Sequence, residues 1–403
     1  MRGTVNGNDR RPPFAALGDA PPEALFAALP TPCYILDEGQ LCRNGESLRK
    51  VSDRTGCKIL LAQKAFSNFN LYPLLSPYLS GTEASGLYEA RLGAEELPGK
   101  EVHVYKAAYT PEEAEAVLPY VSHMVFNSPA QLRAYGPLAK AAGKEVGLRI
   151  NPERSTQEGH ALYDPCAPGS RLGVTRAQWD REMTPELRSL LDGLHFHTLC
   201  EQDADALAAT LSAVGEKFGD VLPGMKWLNF GGGHHITRPG YDLPRLERCI
   251  RYAEDRWGVE VYLEPGEAVA LNAGFLAARV LDIVRNGDTR TAILDASAAC
   301  HMPDVLEMPY TPPLYGTVEK GEYWYRLGGP TCLAGDILGD YRFPEPLRTG
   351  DLLIFGDMAI YTTCKNNTFN GMPLPPIYVR RRDGSLELLA EFGYEDFKGR
   401  LGK

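Results

Sequence analysis

Lys64 is the residue whose surroundings most suggest covalent chemistry. It follows the apolar run Ile59–Ala62 and Gln63, which is the pattern of a buried strand with a polar end. An amine just past such a strand can be partly desolvated, and desolvation favours the uncharged form that makes a Schiff base with an aldehyde. For a lysine considered alone, a surface residue that merely ends a strand is the commoner role.

A glycine-rich stretch, NFGGGHHIT at 229–237, could hold a phosphate group. Because they lack a side chain, Gly231, Gly232 and Gly233 let backbone N–H groups approach a phosphate closely. A tight turn without a ligand is the alternative, and the glycines alone leave both open.

Glu264 lies in a second candidate loop, Leu-Glu-Pro-Gly-Glu at 263–267, which also contains Gly266. Its carboxylate could pair with the protonated pyridine nitrogen of pyridoxal phosphate, and that charge pair would keep the ring an electron sink. A buried salt bridge between Glu264 and Arg149 is the alternative.

Two histidines, in the order His195-Phe196-His197, resemble the His-x-His motif of metal-dependent hydrolases. That motif belongs to a first barrel strand, and no further ligands stand in order to complete a metal site. We therefore predict no metal here. We expect His197 to stack on a cofactor ring, with His195 as a candidate core histidine.

Cys332 stands in a glycine-rich turn, GGPTCLAGD at 328–336, where its thiol would be accessible and could serve as an acid. An inert small hydrophobe is the commoner role for a lone cysteine. Tyr361 ends the stretch DMAIY, and its hydroxyl could reach a phosphate, although a packed aromatic is the more frequent role of a single tyrosine.

The elements that must position these residues read as a β/α barrel followed by strands. Short β-prone runs alternate with helix-like stretches from about 40 to 280, which predicts a (β/α)8 TIM-type barrel, an α/β fold with its chemistry at the C-terminal strand ends. The predicted strands are Lys58–Leu61, Gly81–Ala84, Val102–Tyr105, His123–Phe126, Val146–Ile150, Gly193–Phe196, Trp227–Phe230 and Val259–Leu263.

The ends of these predicted strands are polar or glycine-rich, which is the strongest evidence for the barrel. The loop at 152–190 is longer than the ~2–6 residues typical of such connections, and so it is a candidate for function. In order, the strand ends are Gln63-Lys64, Glu83–Ser85, Lys106, Asn127, Arg149–Asn151, His197, Gly231–Gly233 and Glu264.

A second, all-β domain is predicted after about residue 280, because strands follow one another there without helices between them. The run Cys33–Leu36 has no partner in the barrel and should join this domain. We predict a flexible tail at 1–22, the barrel at 38–280, and the β domain at 23–37 with 281–403. The predicted strands of that domain are Ala278–Val284, Thr291–Asp295, Glu322–Leu327, Asp351–Phe355, Ile377–Arg381 and Leu386–Glu391.

The composition of the chain narrows the classes of partner. A formal net charge of −10 argues against binding to nucleic acid or to an anionic membrane surface. No run approaches the ~20 apolar residues of a membrane span, and no signal peptide is evident. The nine cysteines are scattered without Cys-x-x-Cys spacing, which predicts reduced thiols in the cytoplasm.

Together, these motifs resemble the fold-type III pyridoxal-phosphate decarboxylases, the group of the ornithine and diaminopimelate decarboxylases. The resemblance extends from about Thr31 to the C-terminus. Within the group, NFGGGHHIT at 229–237 and HMPDVLEMPY at 301–310 resemble the carboxynorspermidine decarboxylases. The resemblance implies pyridoxal phosphate as cofactor, decarboxylation of carboxynorspermidine or carboxyspermidine in polyamine biosynthesis, and a homodimer that shares its active sites.

The same resemblance implies a role for each matching residue. The cofactor aldehyde is bound by Lys64, the ring is stacked by His197, and the pyridinium nitrogen is paired with Glu264. Protonation of the carbanion is assigned to Cys332, and substrate contact to Asp336, both in the active site of the neighbouring subunit. The residues expected to bind the phosphate and the remainder of the cofactor are Gly231, Gly232, Gly233, Gly266, Tyr361 and Arg149.

Two positions depart from the broader group. Glu267 stands where an arginine usually follows Glu-Pro-Gly, and a carboxylate beside a phosphate is repelled unless it turns away or faces a cation. Cys200 stands where a phosphate-binding serine is expected, and a thiol is a weak donor. Phosphate binding should therefore depend on backbone amides more than usual.

The choice of substrate is predicted from charge. A carboxylate-rich wall suits the ammonium groups of a polyamine and repels the distal carboxylate of diaminopimelate. A solvated acidic loop is the alternative, and a diaminopimelate or ornithine-type decarboxylase, a racemase or a non-catalytic regulatory relative are the rival functions. The sequence does not decide between carboxynorspermidine and carboxyspermidine. The predicted substrate-binding residues are Glu267, Asp295, Asp304, Glu307 and Asp336.

Overall fold

The computed structural model describes residues 23–157 and 164–402, so the predicted tail at 1–22 lies outside the described residues. The chain divides into two compact units. Cys42–Val269 form the first, called the barrel unit. The described residues before 42 and after 269 form the second, called the sheet unit. Among the described residues, no helix is long and apolar enough to cross a membrane.

The strands and helices are numbered in chain order. The strands are β1 Cys33–Asp37, β2 Lys58–Ala62, β3 Gly81–Ala84, β4 Glu101–Tyr105, β5 His123–Phe126, β6 Glu145–Arg149, β7 Gly193–His195, β8 Trp227–Asn229, β9 Glu260–Leu263, β10 Gly274–Asn286, β11 Thr289–Leu294, β12 Tyr323–Gly328, β13 Ile337–Phe343, β14 Leu352–Gly356, β15 Ile377–Arg380 and β16 Leu386–Ala390. The helices are α1 Glu23–Ala27, α2 Glu38–Thr55, α3 Tyr72–Leu75, α4 Leu87–Glu96, α5 Pro111–Val117, α6 Pro129–Ala141, α7 Arg176–Glu182, α8 Pro185–Arg188, α9 Ala204–Phe218, α10 Leu243–Trp257, α11 Glu267–Ala270, α12 Ala298–His301, α13 Asp304–Glu307 and α14 Tyr394–Gly399.

Strands β2 to β9 close into a parallel barrel in sequence order, with β9 paired to β2. The predicted (β/α)8 barrel is therefore confirmed, and each predicted strand end lies within one residue of the observed one. Its interior contains the large ring of Trp227, which fits because two facing strand positions are glycines. A Cβ atom would lie 2.1 Å from that ring at Gly193 and 2.3 Å at Gly147. Such close packing explains why β6 and β7 tolerate glycine, which strand interiors usually avoid.

The N-terminal end of the barrel is filled by a network of charged and aromatic side chains. The rings of His103 and His123 stack with their centroids 3.8 Å apart. Together with Glu101 they offer ligand atoms within 4.8 Å of one another, the spacing of a metal site. The ammonium of Lys58, however, lies 2.6 Å from Glu101 and balances the negative charge of that carboxylate. Burial raises the pKa of Glu101, but hydrogen bonds from His103 and Lys58 outweigh burial and lower it to about 2.

The long loop after β6 is partly described. Ile150 pairs with Val174 as an isolated parallel bridge, and the short helices α7 and α8 follow. Residues 158–163 lie outside the described residues, so the predicted functional role of this loop stays a prediction.

The sheet unit contains one mixed sheet, in the order β13-β12-β11-β10-β1-β15-β16, with β14 also paired to β10. Strand β1 is antiparallel to β10 and parallel to β15, so the prediction that Cys33–Leu36 joins this sheet is confirmed. The core of the unit is made of Phe26, Cys33, Ile35, Phe275, Ala277 and Ile354.

Two details of the predicted β domain were wrong. Strand β13 was missed, because its Gly339 and Asp340 interrupt the apolar pattern that indicates a strand. The absence of helices was also wrong, since the short helices α12, α13 and α14 lie in this part of the chain. The unit is therefore mostly β rather than all-β.

Candidate active site

The candidate residues of the barrel unit share one place, the C-terminal end of the barrel. Parallel strands bring their C-terminal ends to the same rim, so residues far apart in sequence are collected there. They are Lys64 after β2, Glu83 in β3, Arg149 in β6, His195 and His197 at the end of β7, Asn229 in β8, Gly231–Gly233 after β8, and Glu264 after β9.

Lys64 begins a tight turn after β2, in which the Ala65 and Phe66 amides donate back to the carbonyls of Ala62 and Gln63. The side chain is half-buried, and its amine makes no hydrogen bond or ion pair with another described residue. The positive charge of Lys64 is nevertheless close enough to shift the pKa of the carboxyl group of Glu83. The amine is therefore in the site and available to an incoming group.

Glu264 is a buried carboxylate held by two neutral donors. His195 donates from Nε2 to Oε2 at 3.0 Å, and Asn229 donates from Nδ2 to Oε1 at 2.6 Å. Burial raises the pKa of Glu264, but the contacts with His195 and Asn229 outweigh burial and lower it, so the group is ionised. Burial also lowers the pKa of His195, which leaves a neutral ring as the donor. A negative charge thus remains to be matched by a cation.

The alternative of a salt bridge between Glu264 and Arg149 is not what the barrel contains. The guanidinium of Arg149 lies 4.7 Å from the centroid of the Tyr105 ring and donates to the carbonyl of His197 at 3.1 Å. Arg149 therefore braces the backbone that carries His197 and leaves Glu264 to its neutral partners.

His197 is oriented by the glycine loop. The N–H of Gly232 donates to Nδ1 of His197 at 2.8 Å, which leaves Nε2 to carry the ring proton. Burial, together with the positive charges of Lys64 and Arg149, holds the pKa of His197 well below its ordinary value. The ring is therefore neutral, as suits a side chain that packs on a flat cofactor ring.

The three glycines after β8 form a cradle that no other residue could line. Gly231 and Gly233 have φ of 69° and 81°, the left-handed region that favours glycine. A Cβ would lie 2.4 Å from the Phe196 carbonyl at Gly231, 2.5 Å from the Glu264 carbonyl at Gly232, and 2.0 Å from the Leu199 carbonyl at Gly233.

The amides of this cradle are not equally available to a phosphate. The N–H of Gly231 donates to Asn229 Oδ1 at 2.9 Å, and that of Gly232 is taken by His197. The N–H of Gly233 makes no hydrogen bond with a described residue. The backbone of Gly266, in the loop after β9, is also close to a neighbouring residue, because a Cβ atom there would lie 2.6 Å from the Cβ of Ala65. Backbone closeness at both loops is consistent with the expected phosphate site.

Glu83 is a site residue that the sequence analysis recorded only as a strand end. Its side chain is 2% exposed, and Oε2 has no hydrogen-bond partner among the described residues. Burial, only partly offset by Lys64 and reinforced by the charge of Glu264, raises the pKa of Glu83. A neutral carboxyl group therefore lies within the electrostatic influence of Lys64, a state that no local sequence pattern reveals.

Within the sheet unit, Cys332 is exposed on the turn between β12 and β13. The carboxylate of Asp336 is buried in that turn and accepts from the hydroxyls of Ser297 at 2.9 Å and Thr331 at 2.7 Å. Tyr361 follows β14 with a left-handed backbone, at φ 50°.

The remaining predicted substrate residues are distributed over both units. Glu267 is the first residue of α11 in the barrel unit. Asp295 accepts from the Thr31 hydroxyl at 2.6 Å and from the Arg279 amide at 2.8 Å in the sheet unit. Asp304 and Glu307 lie on α13, and both bind the ammonium of Lys365.

The barrel end has the features that pyridoxal phosphate requires. A free amine can bind the aldehyde, an ionised buried carboxylate can match a protonated ring nitrogen, and a backbone cradle can approach a phosphate. A parallel barrel with such an end, in a chain that also has a mostly β unit, defines the class of fold-type III pyridoxal-phosphate enzymes.

Comparisons with known proteins agree with that class. Residues 33–359 match the family described as "Pyridoxal-dependent decarboxylase, C-terminal sheet domain". The chain is 44% identical over 380 residues to a carboxyaminopropylagmatine decarboxylase of Synechocystis sp., which covers 94% of this chain and 97% of the relative. It is 40% identical over 386 residues to a carboxynorspermidine/carboxyspermidine decarboxylase of Campylobacter jejuni, with coverage of 93% and 99%.

A solved structure gives the same result. The chain is similar to the carboxynorspermidine decarboxylase of Campylobacter jejuni complexed with norspermidine, with a TM-score of 0.84, 39% identity, and coverage of 92% of this chain and 100% of that one. The chain belongs to the pyridoxal-dependent decarboxylase family. It is a decarboxylase, and its cofactor is pyridoxal phosphate.

Proposed function

We propose that this decarboxylase acts on carboxynorspermidine or carboxyspermidine and releases carbon dioxide with norspermidine or spermidine, a step of polyamine biosynthesis. One observation carries the proposal: similarity over nearly the whole chain to a relative named for these two substrates, and to a carboxynorspermidine decarboxylase whose structure was solved in complex with norspermidine. The acidic net charge of −10 suits a cationic substrate.

A second candidate substrate is carboxyaminopropylagmatine, because a relative with 44% identity is named for it. The two classes of substrate differ at the far end of the tail, where a planar guanidinium replaces an ammonium. A guanidinium binds a carboxylate through two parallel hydrogen bonds, whereas an ammonium acts as a compact point charge. The carboxylates that meet the tail therefore decide between them.

Asp304 and Glu307 are the best-supported residues for the tail. Both carboxylates already bind an ammonium group, that of Lys365, so their geometry accommodates a cation of that kind. A substrate ammonium would compete with Lys365 for them. Glu267 and Asp295 remain further candidates for the tail, and Asp336 remains the predicted contact of the reacting end.

When bound, the cofactor supplies an electron sink for the bond that breaks at the α-carbon. The amine of Lys64 would bind the cofactor aldehyde. The ionised Glu264 would keep the ring nitrogen protonated, and the neutral His197 would pack on the cofactor ring. The thiol of Cys332 would donate a proton to the α-carbon of the substrate, and Lys64 would take part in product release.

We propose that the active enzyme is a homodimer in which Cys332 and Asp336 complete the site of the neighbouring subunit. The exposed surface around Cys332 supports this, since Leu333 is 41% exposed and Phe369 is 47% exposed. Mixing inactive Lys64→Ala and Cys332→Ala proteins tests it: random exchange of subunits should restore about a quarter of the wild-type activity. A mixture that stays inactive although hybrid dimers form would contradict shared sites.

The test of the substrate is an assay of the purified holoenzyme. Carbon dioxide and amine release are measured from carboxynorspermidine, carboxyspermidine, carboxyaminopropylagmatine, diaminopimelate and ornithine, with Lys64→Ala as the blank. We expect the highest kcat/KM on one of the first two. Preferential turnover of diaminopimelate or ornithine would refute the proposal, and preference for the guanidino compound would favour the second candidate.

All nine cysteines are free thiols, in keeping with a cytoplasmic enzyme.

A further inference from the structure

The turn that carries Cys332 is held from one side by Asn370. The backbone N–H of Cys332 donates to Oδ1 of Asn370 at 2.8 Å, across 38 positions of sequence. Asn370 itself has a left-handed backbone, with φ 56°. Asparagine is the residue that tolerates this conformation best after glycine, and it also supplies an acceptor. The position thus joins an unusual backbone to a contact with the reactive turn.

The other side of the turn is held by a buried carboxylate. Asp336 is 3% exposed, and it accepts from Ser297 Oγ at 2.9 and 3.0 Å, from Thr331 Oγ1 at 2.7 Å and from the Ala299 amide at 3.2 Å. Thr331 immediately precedes Cys332. The carboxylate therefore ties the turn to the residues before and within helix α12.

The backbone of the turn leaves little room for another arrangement. The Gly329 amide donates to the Asp336 carbonyl at 2.8 Å, and the Asp336 amide donates to the Leu333 carbonyl at 2.9 Å. A Cβ at Gly329 would lie 2.2 Å from Oδ2 of Asp336. Cys332 is thus exposed as a side chain, while the backbone beneath it is clamped at both ends.

We propose that Asn370, Thr331, Asp336 and Ser297 are positioning residues. Their hydrogen bonds hold the backbone of the Cys332 turn so that its thiol faces the α-carbon of the substrate. The inference rests on the proposed function, in which that thiol is the proton donor. It gives Asp336 a role through the turn, as an alternative to direct contact with substrate. It also assigns a role to Asn370, Thr331 and Ser297, which the sequence did not single out.

The position of the Cys332 thiol matters because the electron pair left by carbon dioxide can be protonated at either of two carbons. A proton delivered by Cys332 to the α-carbon would give the amine product, which the amine of Lys64 would displace from the aldehyde carbon of the cofactor. A proton delivered instead to the aldehyde carbon of the cofactor, followed by addition of water, releases an aldehyde from the substrate and leaves the cofactor as its amine. The substrate is then oxidised by two electrons and the cofactor is reduced by two. The ratio of amine to carbon dioxide therefore reports the position of the thiol.

The first test compares Asn370→Gly with Asn370→Asp. Glycine keeps the left-handed backbone but removes the acceptor, whereas aspartate keeps an acceptor oxygen. We expect kcat of Asn370→Gly to fall about 10- to 100-fold, because a displacement of about 1 Å costs that much, with little change in KM. The amine should be less than equimolar with carbon dioxide, and fresh pyridoxal phosphate should restore lost activity. Asn370→Asp should stay near the wild type in both respects.

Asn272→Gly is the matched control. Asn272 has nearly the same backbone, φ 55°, in the same unit, and no hydrogen bond links it to the Cys332 turn. We expect its kcat, product ratio and thermal stability to match those of the wild type. A loss in this control equal to that in Asn370→Gly would mean that the substitution acts through the backbone, which overturns the proposal.

The second test addresses the carboxylate side. Thr331→Val removes the hydroxyl at constant shape, and Thr331→Ser retains it. We expect Val, but not Ser, to lower kcat and the ratio of amine to carbon dioxide. Equimolar amine in both variants, or an effect on KM alone, would overturn a positioning role.

A readout independent of catalysis separates this inference from the proposed function. Hydrogen exchange of the peptide amide at Cys332, followed by mass spectrometry, should be faster in Asn370→Gly than in the wild type and unchanged in Asn370→Asp. Faster exchange with an unchanged kcat and product ratio refutes the positioning role. A wild-type protein that decarboxylates none of the five compounds refutes the function, whatever the exchange shows.

Discussion

Replacement of Glu264 by glutamine is the sharpest test of the cofactor site. The substitution keeps the shape of the side chain and an oxygen that can accept from Asn229 at the position now 2.6 Å away. It removes the negative charge that the neutral His195 and Asn229 leave unmatched. The change therefore removes one buried charge, and it places an amide NH2 group against His195, whose neutral ring can accept at Nε2 after a change of tautomer.

The size of the effect follows from the burial of that charge. Removing one partner of a buried charge pair costs about 3–5 kcal/mol, and each 1.36 kcal/mol is tenfold in rate. We expect kcat of Glu264→Gln to fall about 10²- to 10⁴-fold. The remaining activity should rise as the pH is lowered, because protonation of the ring nitrogen would then depend on solvent.

The assay is carbon dioxide release under saturating pyridoxal phosphate, with two comparisons. Glu264→Asp keeps the charge and should lose less. Glu260→Gln is the same substitution at the other end of β9, where the partner is Lys58 at 3.1 Å, and it should leave kcat unchanged. Activity of Glu264→Gln within threefold of the wild type, at full cofactor occupancy, would show that this carboxylate does not support the electron sink.

Three further predictions concern buried titratable groups and the glycine cradle. Burial and the charge of His103 lower the pKa of His123 from 6.5 to about 3, so the unfolded chain binds a proton before the folded chain does as the pH falls. The free energy of unfolding of the wild type should therefore fall by about 2 kcal/mol between pH 7 and pH 5 through this group. Urea unfolding of His123→Phe should show a flatter dependence of that free energy on pH. The pKa of Glu83 is raised, so its contribution to stability is lost as the pH rises above 4.5, and Glu83→Gln should gain stability relative to the wild type toward alkaline pH; parallel melting curves would contradict this. Gly233→Ala, whose Cβ would lie 2.0 Å from a carbonyl, should lose cofactor and at least about 2 kcal/mol of stability, whereas Gly240→Ala, with φ 80° and open space, should lose only about 1 kcal/mol.

Much of the barrel could be predicted from sequence because its signals are local. A run such as Ile59–Ala62 indicates a buried strand by itself, and a polar residue after it marks the strand end. Eight such runs, separated by helix-like stretches, leave few folds other than a closed parallel barrel. Lys64 and Glu264 were placed at the same rim by this reasoning alone, since parallel strands end together.

The state of the site depended on contacts that no local pattern encodes. Glu83 is neutral because it is buried near Glu264, which is distant in sequence. Two of the three cradle amides are taken by side chains, although glycines in sequence suggest that all are free. The pairing of α13 with Lys365 likewise joins residues about 60 positions apart.

The sequence by itself therefore determined the order of strands, the barrel rim on which the candidate residues lie, and the amine and the carboxylate that we propose for the cofactor, Lys64 and Glu264. Tertiary structure alone decided which of those groups are charged, which amides are available, and how the Cys332 turn is clamped by Asn370. The physical reason is the separation in sequence between the residues that interact. Backbone periodicity is set by residues a few positions apart, whereas desolvation and hydrogen-bond pairing are set by whichever distant side chains the fold brings together.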